Sequence, residues 1–167
     1  CEASQQAMER AGEPEVLGIG LSSQGQTFVL LDENHEPLRP AVVWLDTRAQ
    51  DETNYLAEQF DRDEYAARTG HAAPTVVDSA PKILWIKRNE PQIWDRISYI
   101  MMLPDYLGLL MTGERGLDIN NARSTGLVDE IDEKWWDPGL EVIGIPKEWL
   151  SPLGRPAEPL GTVTAEA

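Results

Sequence analysis

GLSSQGQTFVLLD, from Gly20 to Asp32, places a polar interruption between two apolar, strand-prone runs. EVLGI (Glu15–Ile19) leads into it and TFVLL (Thr27–Leu31) closes it, while Ser22, Ser23, Gln24, Gly25 and Gln26 fill the middle. Runs of this length and composition read as strands, here Val16 to Leu21 and Gln26 to Leu31. The short connection predicts that the two pair antiparallel inside a mixed sheet.

Outward from that stretch the pattern alternates. DENHEP (32–37) is a turn and AVVW (41–44) a short third strand. Asp46 stands where an N-cap belongs, before a helix in TRAQDETNYLAEQF. Upstream, residues 2–11 read as a helix stopped by Gly12 and Pro14. RDEYAARTG is a helix closed by Gly70, and Ser79 is placed to cap SAPKILWIKRNEP, with Pro81 in its first turn. ISYIMML (97–103) is a strand, followed by a helix in PDYLGLLMTG that ends at Gly113. GLDINNARSTGLVD reads as strand, polar turn and continuation, and EKWWDPGLEVIGIP as a short helix and its exit. From Ser151 onward Pro and Gly accumulate, as in an extended tail or linker. Alternating strands and helices indicate an α/β fold.

Composition bounds the function. With 167 residues and 41% hydrophobic content, the chain suffices for one domain with a real core. Its net charge of -15, from 14 Lys and Arg against 29 Asp and Glu, disfavours binding to a nucleic-acid backbone. No apolar run approaches the length of a membrane span, so the expectation is a cytoplasmic protein with neither a membrane nor a nucleic-acid partner. The single cysteine is Cys1, which excludes an internal disulfide. A first-residue Cys can carry lipid, but the helical pattern that follows is not a flexible tether. Cys1 is read instead as a cut in a longer chain.

Several chemistries have no motif here. There is no P-loop, and GIGLSS (18–23) carries Ser where the third glycine of a dinucleotide fingerprint belongs. His35 and His71 lack metal-ligand spacing, so no metal site is expected. No Ser-His-Asp arrangement can be drawn.

Gln24 and Gln26 are the residues that ask for a ligand. Side-chain amides donate and accept together, which suits a polyhydroxylated molecule. Gly25 between them permits close backbone approach. VVWLDTR (42–48) then puts Trp44, Asp46 and Arg48 just past a strand end, where ligands of open α/β sheets bind. Trp offers a face for a sugar ring, Asp accepts from hydroxyls and Arg donates as a fork. Taken one at a time, each has a structural alternative: a polar edge turn, a core Trp, a helix cap, a surface ion pair.

Taken together, the segments resemble the FGGY family of carbohydrate kinases, most closely its xylulokinase branch. The stretches that carry the likeness are GLSSQGQTFVLLD, PLRPAVVWLDTRA (37–49), SAPKILWIKRNEP (79–91), the run from Met101 to Asp129, and EKWWDPGLEVIGIPKEWLSPL (133–153) with PLGTVT (159–164). They span nearly the whole chain in the family's order. The third is similar to a family signature built on Lys82, Trp85, Arg88 and Asn89, with Val77 as a departure five residues before the lysine.

The resemblance implies a ribonuclease-H-like (actin-like ATPase) fold, a mixed sheet flanked by helices. It implies ATP- and Mg2+-dependent phosphoryl transfer to a ketose or polyol hydroxyl, with Gln24, Gly25, Gln26, Trp44, Asp46 and Arg48 binding the substrate. Many xylulokinases have Met-His where this chain has Gly25 and Gln26, so another ketose or polyol is allowed. Asp105 and Asp118 also match family positions, with a helix start and a turn as their roles.

On this reading residues 1–167 are a partial N-terminal, sugar-binding domain, incomplete at its start, with 151–167 leading toward a missing C-terminal kinase domain. The hairpin that meets the nucleotide and the catalytic base would both lie outside the chain. No catalytic residue is therefore assigned, and ATP and Mg2+ are not expected to bind this chain well. An exposed sheet edge would favour a homo-oligomer. The alternatives are a stand-alone, non-catalytic sugar-binding or regulatory module, or an inactive remnant.

Overall fold

A computed structural model describes residues 2–165. Cys1, and the reading of it as a cut, lie outside the described residues. The order is α1 (Glu2–Arg10), β1 (Phe28–Leu31), α2 (Gln50–Gln59), α3 (Arg62–Thr69), α4 (Ser79–Asn89), α5 (Pro91–Trp94), β2 (Tyr99–Met102), α6 (Leu103–Thr112), β3 (Leu117–Asp118), α7 (Ile119–Arg123), β4 (Val128–Asp129), β5 (Lys134–Trp135), α8 (Asp137–Ile143) and β6 (Leu153–Gly154).

β1 is the centre of the molecule. Phe28, Val29, Leu30 and Leu31 are all buried, as expected of a strand covered on both faces. Phe28 and Leu30 join the main core with Ile83 and Ile86 of α4 and with Ile100 and Met102 of β2. Val29 and Leu31 face the other way, with Met101 and with Leu109 of α6. Burial of such side chains is worth about 1.5–3 kcal/mol each, so this short strand outweighs most longer surface elements.

Both edges of β1 are used. β2 pairs with it antiparallel, Phe28 opposite Met102 and Leu31 opposite Tyr99. On the other side, Phe28 and Val42 exchange backbone hydrogen bonds of 3.1 and 2.9 Å, and the Leu38 N–H donates to Leu30 O at 2.9 Å. No edge remains for the expected pairing with residues 16–21. That run is not a strand: Val16, Leu17, Ile19 and Leu21 are 53, 90, 55 and 45% exposed. The expected third strand at 41–44 contracts to the single bridge at Val42.

Two expected caps also move. α2 starts after Ala49, because the Asp46 carboxylate is taken by Arg48 rather than by a helix N-terminus. Asp78, not Ser79, holds the N-cap position of α4, and the Ser79 hydroxyl donates instead to Gln26 O at 3.1 Å. Gly70 and Gly113 do close α3 and α6, both with φ above +70°. The polar turn expected after Leu117 is the helix α7 instead, and Asp118, at the end of β3, is its N-cap, accepting from the Asn120 and Asn121 backbone N–H groups. The residues after Ser151 are more than a linker. β6 pairs parallel with β3, and Leu160 lies against Gly108 and Gly116, where a side-chain carbon would collide with it.

Asp105, in the first turn of α6, is 2% exposed. Neither of its oxygens, nor the Ser151 hydroxyl beside it, makes a well-formed hydrogen bond. Burial pushes its carboxyl up to about 8, against the smaller downward pull of Ser151, the Tyr106 amide and the Arg115 charge. The folded chain therefore keeps a proton that the unfolded chain releases near pH 4. That contribution to stability is full below about pH 4 and is lost as pH rises toward 8. Asp105→Asn should remove this loss. In urea titrations at several pH values, the variant's stability relative to the parent chain should climb from pH 5 to pH 8; parallel curves would refute the assignment.

Candidate functional site

The Phe28–Val42 bridge brings the residues before β1 beside those after Val42. Gln24, Gly25 and Gln26 lie on one side, Trp44 on the other. The Thr27 hydroxyl spans them: it donates to Gln24 Oε1 at 2.6 Å and accepts from the Trp44 backbone N–H at 3.3 Å. Trp44 is 40% exposed, so much of its indole is open to solvent. The Gln26 carbonyl is bound by Ser79, while its side-chain amide has no hydrogen-bond partner among the described residues.

Gly25 has a packing reason. A side-chain carbon there would meet Ser124 Oγ and Cβ at 3.2 and 3.3 Å. The end of α7 thus passes close behind the polar stretch. Ser124 is held in place by donating its hydroxyl to Asn121 O at 2.6 Å.

Asp46 and Arg48 are engaged with each other. Asp46 Oδ1 accepts from the Arg48 backbone N–H and Nε at 3.1 and 2.9 Å, and Oδ2 faces Nη2 at 2.9 Å. Burial would raise the Asp46 carboxyl, but the hydrogen bonds and charge of Arg48, helped by Lys82, hold it below the ordinary range. The Arg48 guanidinium lies over the Trp85 ring of α4, 4.8 Å from its centroid. The pair forms a folded corner, its hydrogen-bonding capacity largely met within the protein.

α4 supplies the support. Lys82 is 1% exposed and donates to the Val77 and Asp78 carbonyls at 2.6 and 3.0 Å. Burial pushes its amine down to about 8, with the Asp78 and Asp46 charges acting the other way. Asp78 in turn accepts from Thr75 and faces His71 Nδ1 at 3.6 Å. The opposite ring nitrogen of His71 contacts Arg123 O at 3.1 Å. Hydrogen bonding to Asp78 raises the His71 imidazole above its usual value. Arg88, one turn beyond Trp85, stands over Tyr55 at 4.2 Å and faces Glu52 at 3.4 Å, tying α2 to α4.

Thus all six expected residues lie along the junction of β1 with the 42–48 segment. Gln24, Gln26 and Trp44 present open groups there. Asp46 and Arg48 are mutually paired. Thr27, Ser79 and Ser124 escaped the sequence reading. A β-branched residue next to Phe28 looks like strand, and the contacts of Ser79 and Ser124 span more than fifty and nearly a hundred positions. The signature containing Lys82 and Trp85 was visible, but not what it holds. Two half-open concavities lie elsewhere, one of about 220 Å³ among Phe60, Tyr65 and Trp136 with Asp61, Glu64 and Glu141, the other of about 240 Å³ beside Ile119, Leu153 and Arg155. The candidate residues line an open face instead.

A model of the FGGY family of carbohydrate kinases, N-terminal domain, matches residues 1–167. The chain belongs to this family. Among relatives of this FGGY chain is a xylulose kinase of Lactococcus lactis, 30% identical over 91% of the chain and 30% of the relative. Another is an autoinducer-2 kinase of Salmonella typhimurium, 29% identical over 100% of the chain and 32% of the relative. Among solved structures, a xyloylose kinase from Brucella ovis superposes with a TM-score of 0.89 at 30% identity, over 99% of this chain and 34% of that one. A xylulose kinase from Rhodospirillum rubrum gives 0.82 at 33% identity, over 86% and 29%. The α/β, ribonuclease-H-like (actin-like) fold of FGGY kinases is therefore the fold of this chain, which spans about a third of the length of the relatives it matches.

The close approach of Gly25 and Ser124 makes a coupling measurable. Gly25→Ala should cost about 1–3 kcal/mol by crowding Ser124. Adding Ser124→Gly should recover part of that, with a coupling of at least about 0.5 kcal/mol in a double-mutant cycle of urea unfolding. Additive effects would show that the contact is not tight.

Proposed function

We propose that this chain is the sugar-binding part of an ATP-dependent carbohydrate kinase that phosphorylates a hydroxyl of a ketose or polyol of xylulose-like size. The observation that carries this is the junction made by the Phe28–Val42 bridge. It brings Gln24, tied through the Thr27 hydroxyl to the Trp44 backbone, and its neighbour Gln26 to the same junction as the partly exposed Trp44. A partly exposed indole near amides that keep hydrogen-bonding capacity suits a molecule with apolar C–H faces and many hydroxyls. Family membership supports the same class, and the relatives' names include xylulose kinase, autoinducer-2 kinase and rhamnulokinase at similar identity.

In this reading Gln24 and Gln26 orient hydroxyls and the carbonyl, while Trp44 stacks against the carbon skeleton. The Asp46–Arg48 pair shapes the adjoining corner and meets the ligand at its rim. Gly25 lets α7 approach from behind. ATP with Mg2+ would supply the phosphoryl group and neutralise its charge. Among the described residues no group of three or more His, Cys, Asp or Glu could hold a metal ion. No metal-dependent step is therefore assigned to this chain, and no Asp in it is named as the base. The remaining functions belong in this proposal to a second, C-terminal kinase domain, in a cytoplasmic enzyme. Among the described residues no helix is long and apolar enough to cross a membrane. The exposed apolar run at Val16–Leu21, which forms no strand, is in this proposal the surface through which two copies would associate.

Calorimetric titration of the chain with D-xylulose and with xylitol tests the site. Saturable binding of at least one is expected, weakened about tenfold or more by the double change Gln24→Ala, Gln26→Ala. Mixed with ATP and Mg2+, the chain alone should transfer no phosphate. Binding indifferent to the double change would remove the sugar from this junction.

A further inference from the structure

Thr27 is 3% exposed and precedes the most deeply buried strand of the molecule. A hydroxyl has one proton to give and two lone pairs. The Trp44 backbone N–H can only donate, so the contact of 3.3 Å to Thr27 Oγ1 uses a lone pair. The hydroxyl proton then goes to Gln24 Oε1, 2.6 Å away. A Gln24 amide turned the other way would leave that proton without an acceptor at a nearly closed site, at a cost of about 1–3 kcal/mol.

We infer that Thr27 is a positioning residue: its single hydroxyl locks the two sugar-contacting segments together and makes Gln24 a hydrogen-bond donor toward the ligand. This rests on the sugar-site reading above and deepens it. With Oε1 committed to Thr27, the exposed Gln24 side chain presents its amino group. The ligand atom that meets it must be an acceptor, such as a ketose carbonyl or a hydroxyl oxygen. The same hydroxyl fixes the Trp44 backbone, and with it the origin of the indole.

Three variants of the whole chain separate these statements. Thr27→Val keeps the shape and removes the hydroxyl, Thr27→Ser keeps the hydroxyl, and Gln24→Glu keeps an acceptor for Thr27 but removes the donor. Amide hydrogen exchange at Trp44, read by NMR, needs no ligand. It should speed up about tenfold in Thr27→Val and stay close to the parent rate in Thr27→Ser and Gln24→Glu. D-xylulose affinity should fall about tenfold in both Thr27→Val and Gln24→Glu, and within about twofold be restored by Thr27→Ser. Unchanged Trp44 exchange in Thr27→Val overturns the tie. D-xylulose bound equally well by Gln24→Glu overturns the donor role. A parent chain that takes up no D-xylulose, yet shows the expected exchange pattern, sinks the sugar reading alone and supports the tie.

Discussion

The backbone pairing of Phe28 with Val42 is the constraint on which the candidate site depends. It is possible because β1 is buried on both faces and hydrogen-bonded on both edges. A strand so placed has one register available, since a slip by one residue would exchange its two core faces. Fixing β1 fixes Thr27 at its start, and Thr27 reaches both Gln24 and Trp44. The polar stretch is held by the most apolar element beside it.

The second support is α4, whose residues act at successive turns on one side. Lys82 gathers the carbonyls before the helix, Trp85 carries Arg48, and Arg88 carries Tyr55 and Glu52. The magnitudes say which of these matter. The Asp46–Arg48 pair is partly exposed, Arg48 at 44%, and such pairs contribute at most about 1 kcal/mol. The Arg48–Trp85 contact adds about 0.5–1 kcal/mol. Lys82 is different in kind. Its ammonium is buried, and removing the carbonyls or charges around it would leave an uncompensated cation. The contacts of Arg48 with Asp46 and Trp85 thus specify where the 44–48 corner sits more than how stable the chain is, while the buried Ile83, Leu84 and Ile86 of α4 serve the core.

Much of this was legible in the sequence. Gln26–Leu31 announced a strand, Gly70 and Gly113 announced helix ends, and the order of segments carried the family; that the strand is buried on both faces was seen only in the fold. The failures have physical reasons. Val16–Leu21 has strand composition, but a strand needs a partner edge, and β1 had given its two edges to β2 and to the 37–42 segment. Asp46 fits an N-cap by type, but a bidentate guanidinium two residues away is a stronger partner than a backbone amide. Ser79 does not cap α4: the N-cap position falls on Asp78, which makes no side-chain cap, and the Ser79 hydroxyl turns to Gln26 O, 53 positions away in the chain. The six candidate residues could be put forward because their chemistry is distinctive. Thr27 and Ser124 could not, because their roles exist only after residues far apart in sequence meet.

The decisive point is where a sugar touches the chain. Backbone and side-chain amide shifts of the uniformly 15N-labelled chain, followed during addition of D-xylulose, would show this. A sugar held at the junction should give saturable changes concentrated at Gln24, Gln26 and Trp44, extending to Arg48 and to the support at Lys82 and Trp85. Changes concentrated instead around Phe60, Tyr65 and Trp136, with the junction unmoved, would contradict it.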